Sequence, residues 1–206
     1  MLITISREFG AGGSMVARKV AEQLQWRLID NEVVAEVARR TGMSLEDVAA
    51  RDERGSTFPE RLARVLMASS AEAMAPGALE ATEAEDAKLV RVVEQVVADE
   101  CAGGDAVVLG RAAVAVIGRR SDALHVKVVA SPGWRTAHLV SRLEIGTDEA
   151  AKRVKDVDAH RGRYHRQWYD RDWADPRNYH LVVNTEWLGV DCAAAIVVDA
   201  LQRFKG

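Results

Sequence analysis

A glycine-rich stretch near the N-terminus has the residue types of an anion-binding loop. It lies between an apolar run, residues 2–5, and a segment, residues 14–24, whose apolar side chains recur with helical spacing. Backbone N–H groups in such a turn are unpaired and the helix dipole is positive there, so the turn attracts phosphate. The predicted phosphate-binding residues are Gly10, Ala11, Gly12, Gly13 and Ser14.

The stretch matches the nucleoside triphosphate pattern G-x-x-x-x-G-K-[ST] in part. Gly12 and Ser14 stand at its second glycine and its hydroxyl, whereas Arg7 stands at its first glycine. Gly13 occupies the lysine position, so the usual ammonium group is missing. We expect Ser14 either to bind Mg²⁺ or to serve only as the N-cap of the following helix.

The dinucleotide pattern G-x-G-x-x-G also fits in part. Gly10 and Gly12 match its first two glycines, but Met15 stands where the third would allow close packing of helix and strand. Asp30, after the second apolar run, stands near the position expected for a ribose-binding acid. The loop alone therefore leaves three interpretations open: a modified triphosphate loop, a dinucleotide loop and a tight structural turn.

Basic residues elsewhere favour phosphoryl transfer over hydride transfer. Arg111 directly follows a predicted strand, where open α/β sheets bind ligands, although it could instead neutralise a helix end. A phosphoryl-transfer site needs several guanidinium groups, Mg²⁺ and a cover that excludes water, and a hydride-transfer site does not. A polar segment, residues 148–177, supplies many cations. They include Arg153, Lys155, Arg161, Arg163 and Arg166.

Five short apolar runs that alternate with helical patterns predict the fold class. Parallel neighbours need long crossover connections, so the alternation predicts a doubly wound α/β sheet of five parallel strands with helices on both faces. The predicted strands are residues 2–5, 27–29, 106–109, 124–129 and 181–184. The predicted core helices are residues 14–24, residues 33–42, a helix that begins at Ser44, and residues 190–204.

Two segments interrupt this alternation. Residues 52–100 are rich in alanine, arginine and glutamate, are broken by Pro59 and Pro76, and predict a helical insertion. Residues 146–178 predict a helical cover, or lid. The chain is therefore interpreted as one domain over residues 1–206. Its predicted core comprises residues 1–51, 101–145 and 179–206.

The composition excludes several classes of protein. Apolar residues make up 48% and charged residues 29% of the 206 residues, which is typical of a globular chain, and no apolar run is long enough to span a membrane. The formal charge of −3 argues against a nucleic-acid surface. Cys101 and Cys192 lack the spacing of a zinc site and are interpreted as buried thiols. His160 and His165 do not share a helical face, so no metal site is inferred. The N-terminus lacks a signal pattern, so we expect a cytoplasmic protein.

Five stretches, in order along the chain, resemble the cytidylate kinase-like family of nucleoside monophosphate kinases, in its divergent branch with a Ser-Arg-Glu-aromatic-Gly loop. They are ITISREFGAGG, RLIDNEVVAEVARRTG, VVLGRAAVAVIGR, LHVKVVA and DWADPRNYHLVVNTEWLG. The resemblance spans nearly the whole chain and is weakest over residues 52–100. It implies a P-loop fold with a five-stranded parallel sheet, an insertion that binds a nucleoside monophosphate, and an arginine-rich lid over the triphosphate.

The resemblance also implies roles for particular residues. Gly110 and Arg111 match a Gly-Arg-Asp that engages the acceptor monophosphate in the family, although Ala112 replaces the acid. Asp158 and Arg161 resemble a lid Asp-x-x-Arg that contacts the acceptor nucleotide. Spaced by three residues on a helix, they could equally form an exposed ion pair.

Without the loop lysine, the donor phosphates are expected to depend on the loop amides, on Mg²⁺ near Ser14 and on other cations. The candidate catalytic residues are Arg7, Arg153, Arg161 and Arg163. Arg61, in the insertion, is a candidate for the acceptor phosphate, with a solvated helix face as the simpler interpretation. Aromatic residues at 168, 169 and 173 are expected to pack the lid against the core.

These features predict ATP-dependent, Mg²⁺-assisted transfer of a phosphoryl group to a nucleoside monophosphate, with CMP or dCMP as the leading acceptors. Another small phosphorylated metabolite would satisfy the same arginines. The missing lysine and Ala112 motivate a second hypothesis, a nucleotide-binding regulatory protein that has lost transfer. A third hypothesis, a dinucleotide-dependent oxidoreductase, predicts NAD binding.

Overall fold

Parallel strands form the centre of the molecule. The computed structural model describes residues 1–30, 32–42, 44 and 76–204. The strands are β1 (Leu2–Arg7), β2 (Arg27–Ile29), β3 (Ala106–Leu109), β4 (Ala123–Val129) and β5 (Leu181–Asn184). They form one sheet in the order β2-β3-β1-β4-β5, and every neighbouring pair is parallel. The predicted doubly wound parallel α/β fold is confirmed, and all five predicted runs are strands.

Seven α-helices connect and flank the strands in the described residues. They are α1 (Gly13–Leu24), α2 (Glu32–Thr41), α3 (Pro76–Ala102), α4 (Ala113–Ile117), α5 (Pro132–Leu143), α6 (Thr147–Tyr169) and α7 (Thr185–Arg203). Helix α7 is kinked at Gly189, whose φ of 70° and ψ of 168° interrupt the helical backbone. The helix predicted to begin at Ser44 continues into residues 45–50, which lie outside the described residues.

Strand β1 is buried along its whole length because helices cover both faces of the sheet. Its side chains alternate between the two faces. On one face Ile3 and Ile5 pack with Val16 of α1 and Val197 of α7. On the other face Leu2 packs in a cluster that α2, α3 and α4 complete. The loop that follows β1 is therefore attached to a fully buried central strand of the sheet.

The described part of the predicted insertion is α3, and its second half belongs to the core. Val93, Val96 and Val97 are buried in the cluster that covers one face of the sheet. Helix α3 also runs past residue 100, the predicted boundary, to its end at Ala102. The rest of the insertion, up to residue 75, lies outside the described residues.

Helix α6, the main element of the predicted lid, is packed against the body of the protein. Ala150 and Val154 pack with Leu139 of α5, and Tyr164 packs with Ala112 and Val90. The predicted packing of the lid aromatics is confirmed, since Trp168 and Tyr169 lie against the second of these clusters and Trp173 is buried.

One prediction about the cysteines is wrong. Cys101 is buried, and burial raises the pKa of its thiol to about 11. Cys192, in contrast, is exposed on α7. Helical spacing places it on the solvent side, because Ala193, Ala194 and Val197 turn toward the core. Among the described residues, no helix has the length and apolar character needed to cross a membrane.

The packing of α3 predicts the effect of Val97→Ala. Val97 is fully buried, so removing two carbon atoms is expected to lower the free energy of unfolding by about 2 kcal/mol. Gln95→Ala, on the exposed side of the same helix, is the matched control and should change it by less than about 0.5 kcal/mol. Denaturant titration of both variants measures the difference. Equal effects would show that α3 does not contribute to the core.

Candidate active site

The glycine loop presents backbone N–H groups at the start of α1. Gly10 and Gly12 have φ of +83° and +76°, values that favour glycine. Gly12 is the N-cap of α1, and no side chain caps it. Its carbonyl accepts from the N–H groups of Met15 and Val16, whereas Gly13 and Ser14, the first residues of the helix, have no acceptor within the helix. Their N–H groups and the helix dipole fit a phosphate group.

Ser14 lies inside the first turn of α1 rather than at its N-cap. The interpretation of Ser14 as an N-cap is therefore wrong, because Gly12 takes that position. The side chain is half-buried, next to Gly12 and Gly13, which are buried. Its hydroxyl suits a hard cation such as Mg²⁺, which prefers oxygen ligands, and its role as the predicted metal ligand stays a prediction.

A close contact explains why the lysine position of the loop holds glycine. A Cβ atom added to Gly13 would lie 2.4 Å from Cβ and 2.8 Å from Cγ of Arg7. Arg7 is the last residue of β1 and is buried. The stem of Arg7 therefore occupies the space from which a lysine at position 13 would start. The arginine at position 7 and the glycine at position 13 therefore depend on each other sterically.

Asp158 of α6 is the centre of a buried network that holds the loop. One carboxylate oxygen accepts from the Phe9 N–H at 2.8 Å, and the other pairs with Arg135 of α5. Arg161, one turn later on α6, lies 3.4 Å from the first oxygen. Arg161 also donates to the Arg7 carbonyl at 2.7 Å. The side chains of Arg135 and Arg161 are only 6% and 4% exposed, so the alternative of an exposed Asp158–Arg161 pair is wrong.

Arg135, which sequence reasoning missed, ties α5 to the same loop. Its Nε donates to the Ala130 carbonyl at 2.9 Å, and its Nη1 donates to the Phe9 carbonyl at 3.1 Å. Glu8 lies 3.5 Å from Nε and accepts from the Ala130 N–H at 3.1 Å. Arg135 occurs within an ordinary amphipathic helix pattern, so only the tertiary structure reveals its burial.

Arg111 follows β3 in a strained turn. Gly110, Arg111 and Ala112 all have left-handed φ values of 70°, 59° and 50°, which is costly for the two residues that carry a Cβ. Arg111 is 2% exposed, and its Nε and Nη2 donate to the Asp30 carbonyl at 3.3 and 3.2 Å. The guanidinium therefore spans the carboxyl ends of β2 and β3, the edge at which the glycine loop also lies.

The remaining predicted arginines do not join the loop network in this structure. Arg153 pairs with Glu149 on the exposed side of α6, where both side chains are about half exposed. Arg163 is exposed on the same helix. Arg61 lies outside the described residues. A catalytic role for Arg153 and Arg163, and a substrate role for Arg61, stay predictions.

A second network that sequence reasoning missed lies on the sheet beside the loop. Lys127 of β4 is 3% exposed, and its Nζ donates to the Trp173 carbonyl at 2.6 Å. Ser6 of β1 accepts from Trp173 Nε1 at 2.9 Å and from the Tyr179 hydroxyl at 3.3 Å. A lysine within the run LHVKVVA was the available signal, because a charged residue in a strand that is covered on both faces needs a special partner.

Helix α7 also contacts the glycine loop, in addition to the contacts made by α5 and α6. Thr185 donates to the Ala11 carbonyl at 2.7 Å, and a Cβ at Gly12 would lie 3.3 Å from Val190. Two residues after Thr185, Trp187 is 83% exposed. A large exposed aromatic ring in the first turn of α7, the helix whose first residue bonds the glycine loop, suits stacking on a nucleobase.

The fit between Gly13 and Arg7 predicts the effect of Gly13→Ala. The added Cβ requires a shift of β1 or of the loop, and we expect a loss of about 1–3 kcal/mol in the free energy of unfolding together with weaker MgATP binding. Gly162→Ala on α6 is the matched control, because nothing lies within 4 Å of its added Cβ, and it should stabilise the protein by about 0.5–1 kcal/mol. Chemical denaturation measures the free energy of unfolding of both variants, and isothermal titration calorimetry measures their affinity for MgATP. Unchanged stability of Gly13→Ala would contradict the steric explanation.

The burial of Asp158 predicts the effect of Asp158→Asn. This change removes the carboxylate charge that the buried guanidinium groups of Arg135 and Arg161 share, and it should lower the free energy of unfolding by about 2–4 kcal/mol. Glu149→Gln makes the same chemical change in an exposed pair of the same helix and should cost less than about 1 kcal/mol. Chemical denaturation compares the two variants, and similar small losses would show that Asp158 does not hold the loop.

Comparison with solved structures shows the fold. An uncharacterized protein from Eubacterium ventriosum has a TM-score of 0.69 at 18% identity, with 98% of each chain covered. TT1252 from Thermus thermophilus has a TM-score of 0.57 at 17% identity, covering 100% of this chain and 98% of the other. Shikimate kinase from Bacteroides thetaiotaomicron has a TM-score of 0.51 at 12% identity, with 98% of each chain covered. At these identities the likeness shows a P-loop kinase fold and nothing finer.

No curated protein matches the chain. The model of the cytidylate kinase-like family, however, matches residues 2–187. The family match supports a nucleotide kinase-type activity, and the phosphate-binding role of the glycine loop stays a prediction. Since this match spans most of its length, the chain belongs to the cytidylate kinase-like family.

Proposed function

We propose that the protein transfers the γ-phosphoryl group of ATP to a nucleoside monophosphate, with CMP or dCMP as the leading acceptor. The observation that carries the proposal is the loop at Gly12 to Ser14, where the N–H groups of a helix start have no side-chain cap and where the buried Arg161 guanidinium bonds the Arg7 carbonyl at the end of β1. Phosphoryl transfer depends on positioning and on neutralising charge, and it requires no covalent intermediate with the protein.

The donor side of the proposed site is built from the loop. The N–H groups of Gly13 and Ser14 would bind donor phosphate oxygens, and Ser14 Oγ would hold Mg²⁺. A bound Mg²⁺ supplies charge neutralisation and orientation of the phosphates. Arg161 approaches the loop through its bond to the Arg7 carbonyl, so its guanidinium is proposed as the lid cation that would neutralise charge on the transferred group. Arg7, the last residue of β1, is proposed to add positive charge where the strand enters the loop.

The acceptor side is proposed to lie at the carboxyl ends of β2 and β3. Arg111 is fixed there by its two hydrogen bonds to the Asp30 carbonyl, which orients a guanidinium without long-range motion. Asp158 and Arg161 complete the acceptor contacts in this proposal. Arg153, Arg163 and Arg61 would bind from the lid and the insertion. Cytoplasmic location and acceptance of other phosphorylated metabolites belong to the same proposal.

A second candidate function is a nucleotide-binding regulator that does not transfer phosphate. It is favoured by the contact between Gly13 and Arg7, which leaves no room for the usual lysine, and by Ala112 in place of the family's acid. Loss of a fixed cation from such a site lowers the rate by about 10²–10³. Both candidates predict MgATP binding, and they differ in turnover.

A coupled assay for ADP release separates the two candidates. Purified protein is supplied with MgATP and, one at a time, CMP, dCMP, UMP, AMP and shikimate. We expect turnover that depends on one of the pyrimidine monophosphates. Binding of MgATP without turnover for any acceptor would support the regulator, and binding of NAD in preference to ATP in a thermal-shift comparison would support an oxidoreductase.

The exposed Trp187 is proposed to stack on the adenine base of the donor. Trp187→Ala should weaken MgATP binding by about 5- to 100-fold, since stacking on an aromatic ring contributes about 1–3 kcal/mol, and Trp187→Phe should retain most of the affinity. Leu143→Ala is the control, because this residue is another exposed apolar side chain, at the end of α5. Isothermal calorimetry measures the affinities, and equal affinities for all variants would place the base elsewhere.

A further inference from the structure

Lys127 lies on β4, the strand next to β1, near the point where β1 enters the glycine loop. In the parallel register Lys127 is opposite Ser6, one residue before the end of β1. The following residue, Val128, accepts a hydrogen bond from the Glu8 N–H at 3.0 Å, so β4 remains paired with the chain as it enters the loop. The Lys127 side chain therefore starts close to the segment that leads into the phosphate-binding turn.

Aromatic residues of the segment that follows α6 enclose the ammonium group. Nζ lies 3.9 Å from the centre of the Trp173 ring and 5.2 Å from that of Tyr179. Among the described residues, the Trp173 carbonyl, at 2.6 Å, is its one hydrogen-bond acceptor. An ammonium group has three donors. A lysine that is 97% buried with two unmatched donors is costly, and such a cost is found mainly where a charge has a function.

The arginines of the site each make two or more contacts to fixed partners. Arg135 donates to two backbone carbonyls and pairs with Asp158. Arg161 donates to the Arg7 carbonyl and also lies beside Asp158. Arg111 donates to the Asp30 carbonyl. Lys127 differs from these arginines because its stem has four flexible carbons and because, within the described residues, its ammonium makes one hydrogen bond, to a carbonyl on a segment outside the sheet.

We propose that Lys127 is the ammonium group that contacts the donor phosphates in place of the lysine missing at position 13, and that Trp173 holds it until the nucleotide binds. The assignment rests on the proposed binding of ATP at the loop. Exchange of the Trp173 carbonyl for a phosphate oxygen would give the ammonium a charged partner. It would also couple nucleotide binding to the segment that follows α6.

The electrostatic surroundings support this assignment. Burial lowers the pKa of Lys127 to about 8. Glu8 from the loop, Asp158 from α6 and Asp172 from the following segment oppose this shift, and Arg161 adds to it. The Tyr179 hydroxyl is the other titratable group packed against the network. A bound polyphosphate would favour the charged form, so nucleotide binding is expected to raise the pKa of Lys127 above its value in the free protein.

The test is Lys127→Met, which keeps an unbranched apolar side chain and removes the charge. We expect MgATP affinity to fall about 10- to 100-fold and the affinity for adenosine, which has no phosphate, to stay within about twofold. The thermal stability should be equal to or higher than that of the wild type, because a buried charge with unmatched donors is removed. Lys152→Met, an exposed lysine on α6, is the control and should leave both affinities unchanged.

The pH dependence gives a readout that a purely structural lysine would not produce. In the wild type, MgATP affinity should decline as the pH rises through about 8, because the free protein loses the ammonium charge. Lys127→Met should lack this decline. A merely structural Lys127 would instead give a less stable Lys127→Met variant with wild-type MgATP affinity, and that result would overturn the proposal.

If the wild type binds MgATP but never phosphorylates an acceptor, the transfer proposal fails, and the affinity comparison still decides the role of Lys127.

Discussion

A single carboxylate, that of Asp158, holds the parts of the site together. It accepts from the Phe9 N–H of the loop and pairs with Arg135 and Arg161, which in turn donate to the Phe9 and Arg7 carbonyls where β1 enters the loop. Helices α5 and α6 are thereby fixed to the end of β1. In a buried setting a half-satisfied network is worse than none, so the position of the loop depends on all of these bonds being made together.

The same rigidity explains why the cations of this site are not interchangeable. The Cβ and Cγ atoms of Arg7 occupy the space that a side chain at position 13 would need. A lysine therefore cannot be restored at position 13 without moving Arg7 or the loop. In the two proposals above, positive charge reaches the loop from neighbouring elements instead: from α6 through Arg161 and from β4 through Lys127. Because guanidinium groups bonded to backbone carbonyls are preorganised, they can stabilise charge without reorganising during the reaction.

The sequence predicted the fold well and the site in part. β-branched runs such as 106–109 and 181–184 became strands because burial on both faces selects such runs. The glycine loop was found because glycine at positive φ is a local signal. Lys127, Arg135 and the exposed Cys192 were missed or misread, since their surroundings depend on which elements pack together, and no local pattern encodes that. Asp158 and Arg161 were identified by resemblance, and only the tertiary structure shows that they are buried.

The packing of α6 also limits how the site can open. Lifting the whole helix would expose Ala150 and Val154 and break every bond of Asp158, which is far more than the binding of a small ligand needs to change. The segment between α6 and β5 is different. It consists of polar turns, in which Asp172, Ala174 and Arg177 are exposed. Its contacts with β1 and β4 are made mainly by Trp173 and Tyr179. Local opening follows the elements with the fewest buried apolar contacts. Motion coupled to nucleotide binding is therefore expected in this segment, with α6 remaining fixed to the loop.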